Sequence, residues 1–136
     1  LWSLPITPEA RSLWYRIINK KVHCMLSISK FRPDTSDKCP FCTNTIETIQ
    51  HLLIECPTKL RIWRLTLSCF APYLSFDTAH ITALVYQLKT IDHVNNTLLR
   101  VLVSKILRNI WRSHWQFVLS EAPFRPERIA LQIYKD

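Results

Sequence analysis

Four residues with zinc-ligand spacing constrain this chain more than any other feature of its sequence. Cys39 and Cys42 are separated by two residues. His51 follows after eight further residues, and Cys56 after another four. A turn across Cys-x-x-Cys lets two thiolates bind one ion, and the histidine and last cysteine return from the next segment to complete a tetrahedron. Because protein side chains fill all four positions, the pattern indicates a structural Zn²⁺ site rather than a catalytic one.

The alternative interpretations are ordinary buried cysteines or disulfides. A lone cysteine often packs as a small buried side chain. The odd count of five cysteines and the lack of a secretory segment disfavour disulfides. Pro40 inside the first pair and Pro57 after the last ligand favour the metal. Cys24 and Cys69 have no cysteine or histidine partner at ligand spacing, so we predict that neither binds zinc and that Cys24 is a buried thiol.

The ligands stand within a longer pattern, C-P-x-C…E-T-x-x-H-L-L-x-x-C-P…W, which runs from Cys39 to Trp63. This pattern resembles the zinc-binding domain near the C-terminus of reverse transcriptases from LINE-type (non-LTR) retrotransposons. Residues 13–20 resemble the leading Trp-rich helix of that family, and the loop at residues 31–35 also fits. The resemblance covers roughly residues 11 to 66, and residues 67–136 carry no matching motif.

The resemblance has implications for function. It implies engagement of RNA or target DNA during target-primed reverse transcription, with the reverse transcriptase domain of the same parent chain as a partner. It also implies an intracellular, nuclear location. The first residues lack an initiator methionine and the charged stretch of a signal peptide, so we expect a segment of a longer polypeptide.

The complete lack of glycine limits the choice of fold. Tight hairpins and Gly-rich phosphate loops need backbone conformations that glycine provides. We therefore predict an all-α fold, a helical domain built around a CCHC zinc knuckle with a long C-terminal helix. We expect residues 1–136 to form a single domain, with a zinc-knuckle part at 7–70 and a helical C-terminal part at 71–136.

Capping and periodicity predict the individual helices. The predicted elements are a helix from the Thr7 cap to about Lys20, a short helix from Cys24 to Lys30, a helix from Ile46 to Glu55, a helix from Pro57 to Phe70, a short helix capped by Asp77 or Thr78, a helix of roughly 40 Å from an Asp92 cap to Ser120, and a last helix with Ile129, Leu131 and Ile133 as anchors. On the Pro57–Phe70 helix, Trp63 is expected in the core, and Lys59, Arg61 and Arg64 on the polar side.

The net charge of +8 suggests an anionic partner, of which nucleic acid is the usual one. Arginines 100, 108 and 112 recur at steps of four and eight residues, so they should share one face of the long helix. Each cation has the alternative interpretation of a solvated surface charge. The candidate phosphate contacts are Lys20, Lys21, Lys30, Arg32, Lys38, Arg61 and Arg64 near the knuckle, and Arg100, Arg108 and Arg112 on the long helix.

Catalytic motifs are absent from the sequence. It has no Gly-rich phosphate loop and no paired acids typical of a two-metal site. We therefore predict a non-catalytic accessory domain with neither a small-molecule substrate nor a membrane partner. The second hypothesis is a structural docking domain that packs against the polymerase or another protein without contacting nucleic acid.

Overall fold

Helices form nearly all of the regular structure of residues 5–135, which are the residues that this computed structural model describes. The elements are α1 (Pro8–Ile18), α2 (Met25–Phe31), a π-helical turn (His51–Glu55), α3 (Pro57–Phe70), α4 (Thr78–Tyr86), α5 (Asn96–Ser120) and α6 (Pro126–Lys135). Within residues 5–135 the β-structure amounts to an antiparallel bridge between Lys38 and Ile46. The predicted all-α fold with a long C-terminal helix is confirmed. None of these helices has both the length and the apolar character needed to cross a membrane.

Helix α1 begins where its sequence predicts. The hydroxyl of Thr7 accepts a hydrogen bond from the amide of Ala10 at 3.3 Å, which satisfies one amide of the first turn. The helix ends two residues before the predicted end, and Lys20 takes a left-handed conformation with φ 56°. Trp14 is fully buried, and its indole N–H donates to the carbonyl of Val85 at 2.9 Å. This bond joins α1 to the end of α4.

The helix predicted to begin at Ile46 begins later. Ile46 instead pairs with Lys38 in the antiparallel bridge, and the amide of Glu47 donates to the carbonyl of Asp37 at 2.9 Å. Helical geometry starts at Ile49 and passes into the π-helical turn. The prediction was wrong here because a bridge to an earlier segment competes with local helix formation.

The start of α5 also differs from the prediction. Asn95, rather than Asp92, caps the helix, and its side-chain oxygen accepts from the amide of Leu98 at 3.1 Å. His93 has φ 64°, a left-handed conformation that a helix cannot include. The helix ends as predicted, and its 25 residues span about 38 Å.

Helix α5 lies at the centre of the fold, where it packs against α1, α3, α4 and α6. Trp63 of α3 is fully buried, and its indole N–H donates to the carbonyl of Leu53 at 2.7 Å, which confirms its predicted place in the core. On α6, Ile129 and Ile133 are buried as predicted. Leu131, which was also predicted as an anchor, is 64% exposed. That prediction was wrong because residues two positions apart on a helix do not face the same side, so Leu131 points away from the core.

Candidate metal centre

The sequence places its four predicted ligands on two segments, and the structure brings them together. The bridge at Lys38 and the amide of Cys39, which donates to the carbonyl of Thr45 at 2.7 Å, hold the first pair on a tight turn. In the π-helical turn, a hydrogen bond of 3.0 Å between the amide at position 56 and the carbonyl at position 51 closes the second pair. The candidate ligand atoms lie within 4.8 Å of one another, and they belong to Cys39, Cys42, His51 and Cys56.

The distances between these atoms fit a tetrahedral zinc ion. The sulfur of Cys56 lies 3.9 Å from that of Cys39 and 3.8 Å from that of Cys42. The sulfur of Cys42 lies 3.4 Å from Nε2 of His51. Zinc–sulfur bonds of about 2.3 Å place tetrahedral ligands about 3.8 Å apart, and a sulfur–nitrogen pair slightly closer. The donor set therefore has the size that Zn²⁺ requires.

The ionisation of the three thiols also favours a bound cation. Burial and the neighbouring Cys56 raise the pKa of Cys42 to about 12. Burial also raises the pKa of Cys39. At Cys56, burial acts to raise the pKa, but Lys59 and hydrogen bonds from Thr58 hold it below its ordinary value. Three thiols in so small a space ionise together only when a metal ion supplies compensating positive charge.

Lys59 is a site residue that the sequence analysis missed. It was predicted on the polar side of α3, but its side chain is fully buried. Its ammonium nitrogen lies 3.0 Å from Nδ1 of His114 and 4.3 Å from the centre of the Phe41 ring. Lys59 comes three residues after Cys56 and four before Trp63, so helix geometry already placed it on the inward face.

A buried histidine and a buried glutamate extend the polar contacts of Lys59 into the core. Burial, and then the charge of Lys59, lower the pKa of His114 to about 3, so its imidazole is neutral and Nδ1 accepts the hydrogen bond. Its Nε2 lies 3.6 Å from Oε2 of Glu47, which is longer than a direct hydrogen bond. The other oxygen of Glu47 accepts from the amide of Met25 at 2.8 Å. The chain of polar groups thus joins α3, α5 and the segment before the π-helical turn.

Aromatic contacts dock the first cysteine pair onto the end of α5. Phe41, which lies between the two cysteines, stacks on Phe117 with ring centres 4.4 Å apart. It also meets Phe124 edge-on at 4.8 Å. The metal centre is therefore packed into the helical body.

The comparison with known families agrees with this geometry. Residues 1–63 match the family described as zinc-binding in reverse transcriptase. The match includes all four candidate ligands and covers slightly less than half of the chain. The resemblance to a zinc-binding domain of reverse transcriptases and the predicted cofactor, Zn²⁺, are thus confirmed. No curated protein and no solved structure matches the chain.

The two remaining cysteines lie apart from this cluster. Within residues 5–135, the grouped metal-binding side chains include neither Cys24 nor Cys69. Cys24 is buried before α2, as predicted, and Cys69 is exposed on α3. Both remain predicted non-ligands of the zinc-binding segment.

The cations predicted around the knuckle fall into two sets. Lys38 pairs with Asp37 at 3.7 Å, and Arg61 pairs with Glu127 at 2.5 Å, so these two charges are partly offset. The others are exposed and make no ion pair within residues 5–135; they are Lys20, Lys21, Lys30, Arg32 and Arg64. Lys20 and Lys30 line one groove of about 620 Å³.

The three arginines predicted on one face of α5 have different surroundings. Arg100 donates to the carbonyl of Leu88 at 3.0 Å. Ser104, which lies four residues from both Arg100 and Arg108, is buried, so the three arginines do not form one continuous exposed surface. Arg108 and Arg112 line a groove of about 770 Å³ between α1 and α5, which we call the α1–α5 groove. The groove also contains three side chains that were not predicted from the sequence to bind nucleic acid, Arg16, Trp111 and Trp115.

Proposed function

We propose that this chain is a zinc-stabilised nucleic-acid-binding module of a LINE-type retrotransposon reverse transcriptase polyprotein. Its ion is held by Cys39, Cys42, His51 and Cys56. The module engages RNA, target DNA or both during target-primed reverse transcription in the nucleus, beside the reverse transcriptase domain of the parent chain. Catalysis belongs to other parts of that chain. The family match supports the association with zinc and with reverse transcriptases.

The observation that carries the nucleic-acid part is the composition of the α1–α5 groove. Its lining contains Arg16, Arg108 and Arg112, against the single acid Glu9. Arginine guanidinium groups bind phosphate oxygens through two parallel hydrogen bonds. Three such groups along one groove suit a phosphate backbone.

Two tryptophans in the same groove favour an unpaired strand. Trp111 and Trp115 meet edge to face with ring centres 5.6 Å apart, and both are half-buried. Aromatic side chains beside a basic groove bind single strands because every base has a face that can stack. A nearby anion would also relieve the repulsion between Arg108 and Arg112, which are four residues apart on one helix.

The test is a salt titration of RNA and DNA binding. Changing Arg16, Arg108 and Arg112 to Gln should weaken binding to all single strands and flatten the salt slope by about 0.7 for each phosphate that the variant no longer binds. The matched control changes Lys89, Arg125 and Arg128 to Gln, which removes the same charge from exposed positions outside this groove. Equal effects of the two triple variants would refute the groove as the binding site.

A docking function for the same groove is the second candidate. Leu119 lies in the lining of the groove, and its side chain is 76% exposed. An exposed apolar side chain of this kind is typically buried by a protein partner. In that case Leu119→Ser should weaken binding of the reverse transcriptase domain. The arginine triple variant would then leave the salt slope of nucleic-acid binding unchanged.

A further inference from the structure

Lys59 is a buried cation without a carboxylate partner. Its side chain is fully buried, and within residues 5–135 no acid lies within ion-pair distance of its ammonium group. Burying an isolated ammonium costs much more than burying an apolar side chain, so a nearby negative charge is needed to offset it. His114, at 3.0 Å, is a neutral acceptor and supplies no charge.

The missing negative charge is found in the adjacent cysteine cluster. Zn²⁺ with three thiolates and a neutral histidine carries a net charge of −1. Cys39 and Cys56 are buried, so water screens this charge poorly. We propose that Lys59 is the internal counter-cation of the zinc centre and that its ammonium makes the buried assembly of ion, thiolates and lysine electrically neutral.

Two aromatic rings and a histidine surround the ammonium group of Lys59. Phe41 belongs to the same short loop as the first two cysteines, and its ring lies 4.3 Å from the ammonium nitrogen. Phe124 presents a second ring at 5.5 Å. Aromatic faces attract a desolvated cation, and Nδ1 of His114 accepts one of its hydrogens. The loop that provides two thiolates therefore also helps to position the compensating charge.

The electrostatics of both partners are consistent with this role. The charge of Lys59 acts on Cys56 and lowers its thiol pKa against the effect of burial. In return, burial lowers the pKa of Lys59, while the thiolates, led by Cys56, act to raise it. The thiolates and the ammonium thus favour each other's charged form.

Glu47 is the competing partner for Lys59. Its carboxylate is fully buried on the far side of His114, and it also acts to raise the pKa of Lys59, after Cys56 and Cys39. If Lys59 served mainly to balance Glu47, removing both charges together would restore a neutral interior. If Lys59 instead balances the zinc centre, removing the charge of Glu47 as well would not restore zinc affinity.

The experiment measures zinc affinity and zinc release by competition with a chromophoric chelator in the 136-residue chain. Lys59→Met should weaken zinc binding about 10- to 100-fold, the usual effect of removing a group that supports a ligand. Glu47→Gln keeps the acceptor for Met25 and should leave the affinity unchanged. The double variant should bind zinc as weakly as Lys59→Met. Affinity restored in the double variant, or unchanged in Lys59→Met, would overturn the proposal.

A second pair of variants separates charge from packing. Lys59→Arg keeps the positive charge, and Lys59→Gln keeps a hydrogen-bond donor toward His114 but removes the charge. We expect Lys59→Arg to bind zinc more tightly than Lys59→Gln, with the same helical content by circular dichroism. Equal affinities would contradict the counter-cation role even if Lys59→Met failed to fold.

Discussion

At the scale of single residues, the metal cluster and its polar neighbours include residues that are close in sequence and one that comes from a distant helix. Cys56 ends the π-helical turn and immediately precedes α3, so one residue serves both the cluster and the start of a helix. Lys59 follows one turn later, and His114 reaches it from α5. Substitutions at these positions should therefore affect zinc binding and stability to different degrees.

Cys39→Ser should lose the zinc ion and the fold of the knuckle around it. The reason is that the binding energy of a structural zinc ion is largely folding free energy. Metal analysis of freshly purified protein and circular dichroism with and without chelator provide the measurement. The double variant Cys24→Ala and Cys69→Ala is the control and should retain one zinc per chain. A Cys39→Ser chain that keeps both zinc and native structure would contradict this assignment.

His114 should make the protein less stable in acid. Its pKa is about 3 in the folded chain, compared with an ordinary value of 6.5, so the unfolded chain binds more protons between these values. The contribution of His114 should leave the free energy of unfolding unchanged above pH 6.5 and lower it by about 1.4 kcal/mol per pH unit below that value, until the pH approaches 3.

The control for this pH dependence is His114→Gln, which retains the zinc site but not the imidazole. Urea unfolding of both chains at several pH values between 3 and 6.5 gives the comparison. Protonation of the zinc ligands affects both chains alike, so the difference in slope isolates His114. Parallel slopes would show that His114 does not bind a proton on unfolding.

At the scale of elements, the start of α5 gives a direct comparison between the sequence and the structure. Both Asp92 and Asn95 are residue types that cap helices. The left-handed backbone at His93 separates Asp92 from the helix, and Asn95 accepts from the amide of Leu98. The cap is therefore decided by the path of the preceding loop.

Asn95→Ala should lower the free energy of unfolding by about 1 kcal/mol, since it removes the acceptor for an amide of the first turn. Asp92→Ala is the matched control and should have little effect, because Asp92 is exposed and lies outside the helix. Thermal or urea unfolding of both variants checks this. A larger decrease for Asp92→Ala would show that Asp92, rather than Asn95, caps the helix.

At the scale of the whole molecule, the zinc-binding segment is part of the helical body. Phe41 packs on Phe117 and Phe124, and the Lys59–His114 contact adds a polar link to α5. A separate hydrogen bond, from Trp14 to the carbonyl of Val85, joins α1 to α4 without involving any residue of the metal cluster. Loss of zinc should therefore affect these two regions unequally.

Removal of zinc should reduce hydrogen-exchange protection in the knuckle and in the C-terminal half of α5. The contact of α1 with α4 should retain its protection, because apolar packing and the Trp14 hydrogen bond hold it without the metal. Hydrogen exchange with and without chelator measures both regions in one experiment. A uniform loss of protection would instead show that the metal supports the whole fold cooperatively.

The sequence alone determined the features that depend on neighbouring residues. The spacing of Cys39, Cys42, His51 and Cys56 predicted the cluster, because a turn and a short helical segment are enough to bring such ligands together. The Thr7 cap and the proline after Cys56 predicted where α1 and α3 begin, because caps act within one helical turn.

Only the tertiary structure decided the features that join distant segments. Lys59 meets His114 across 55 positions of sequence, and the α1–α5 groove combines Arg16 with Arg108 and Arg112. Periodicity indicates which residues share a helix face, but it does not say which other helix covers that face. Burial and charge pairing at these positions arise from the packing of whole helices, so local sequence patterns do not specify them.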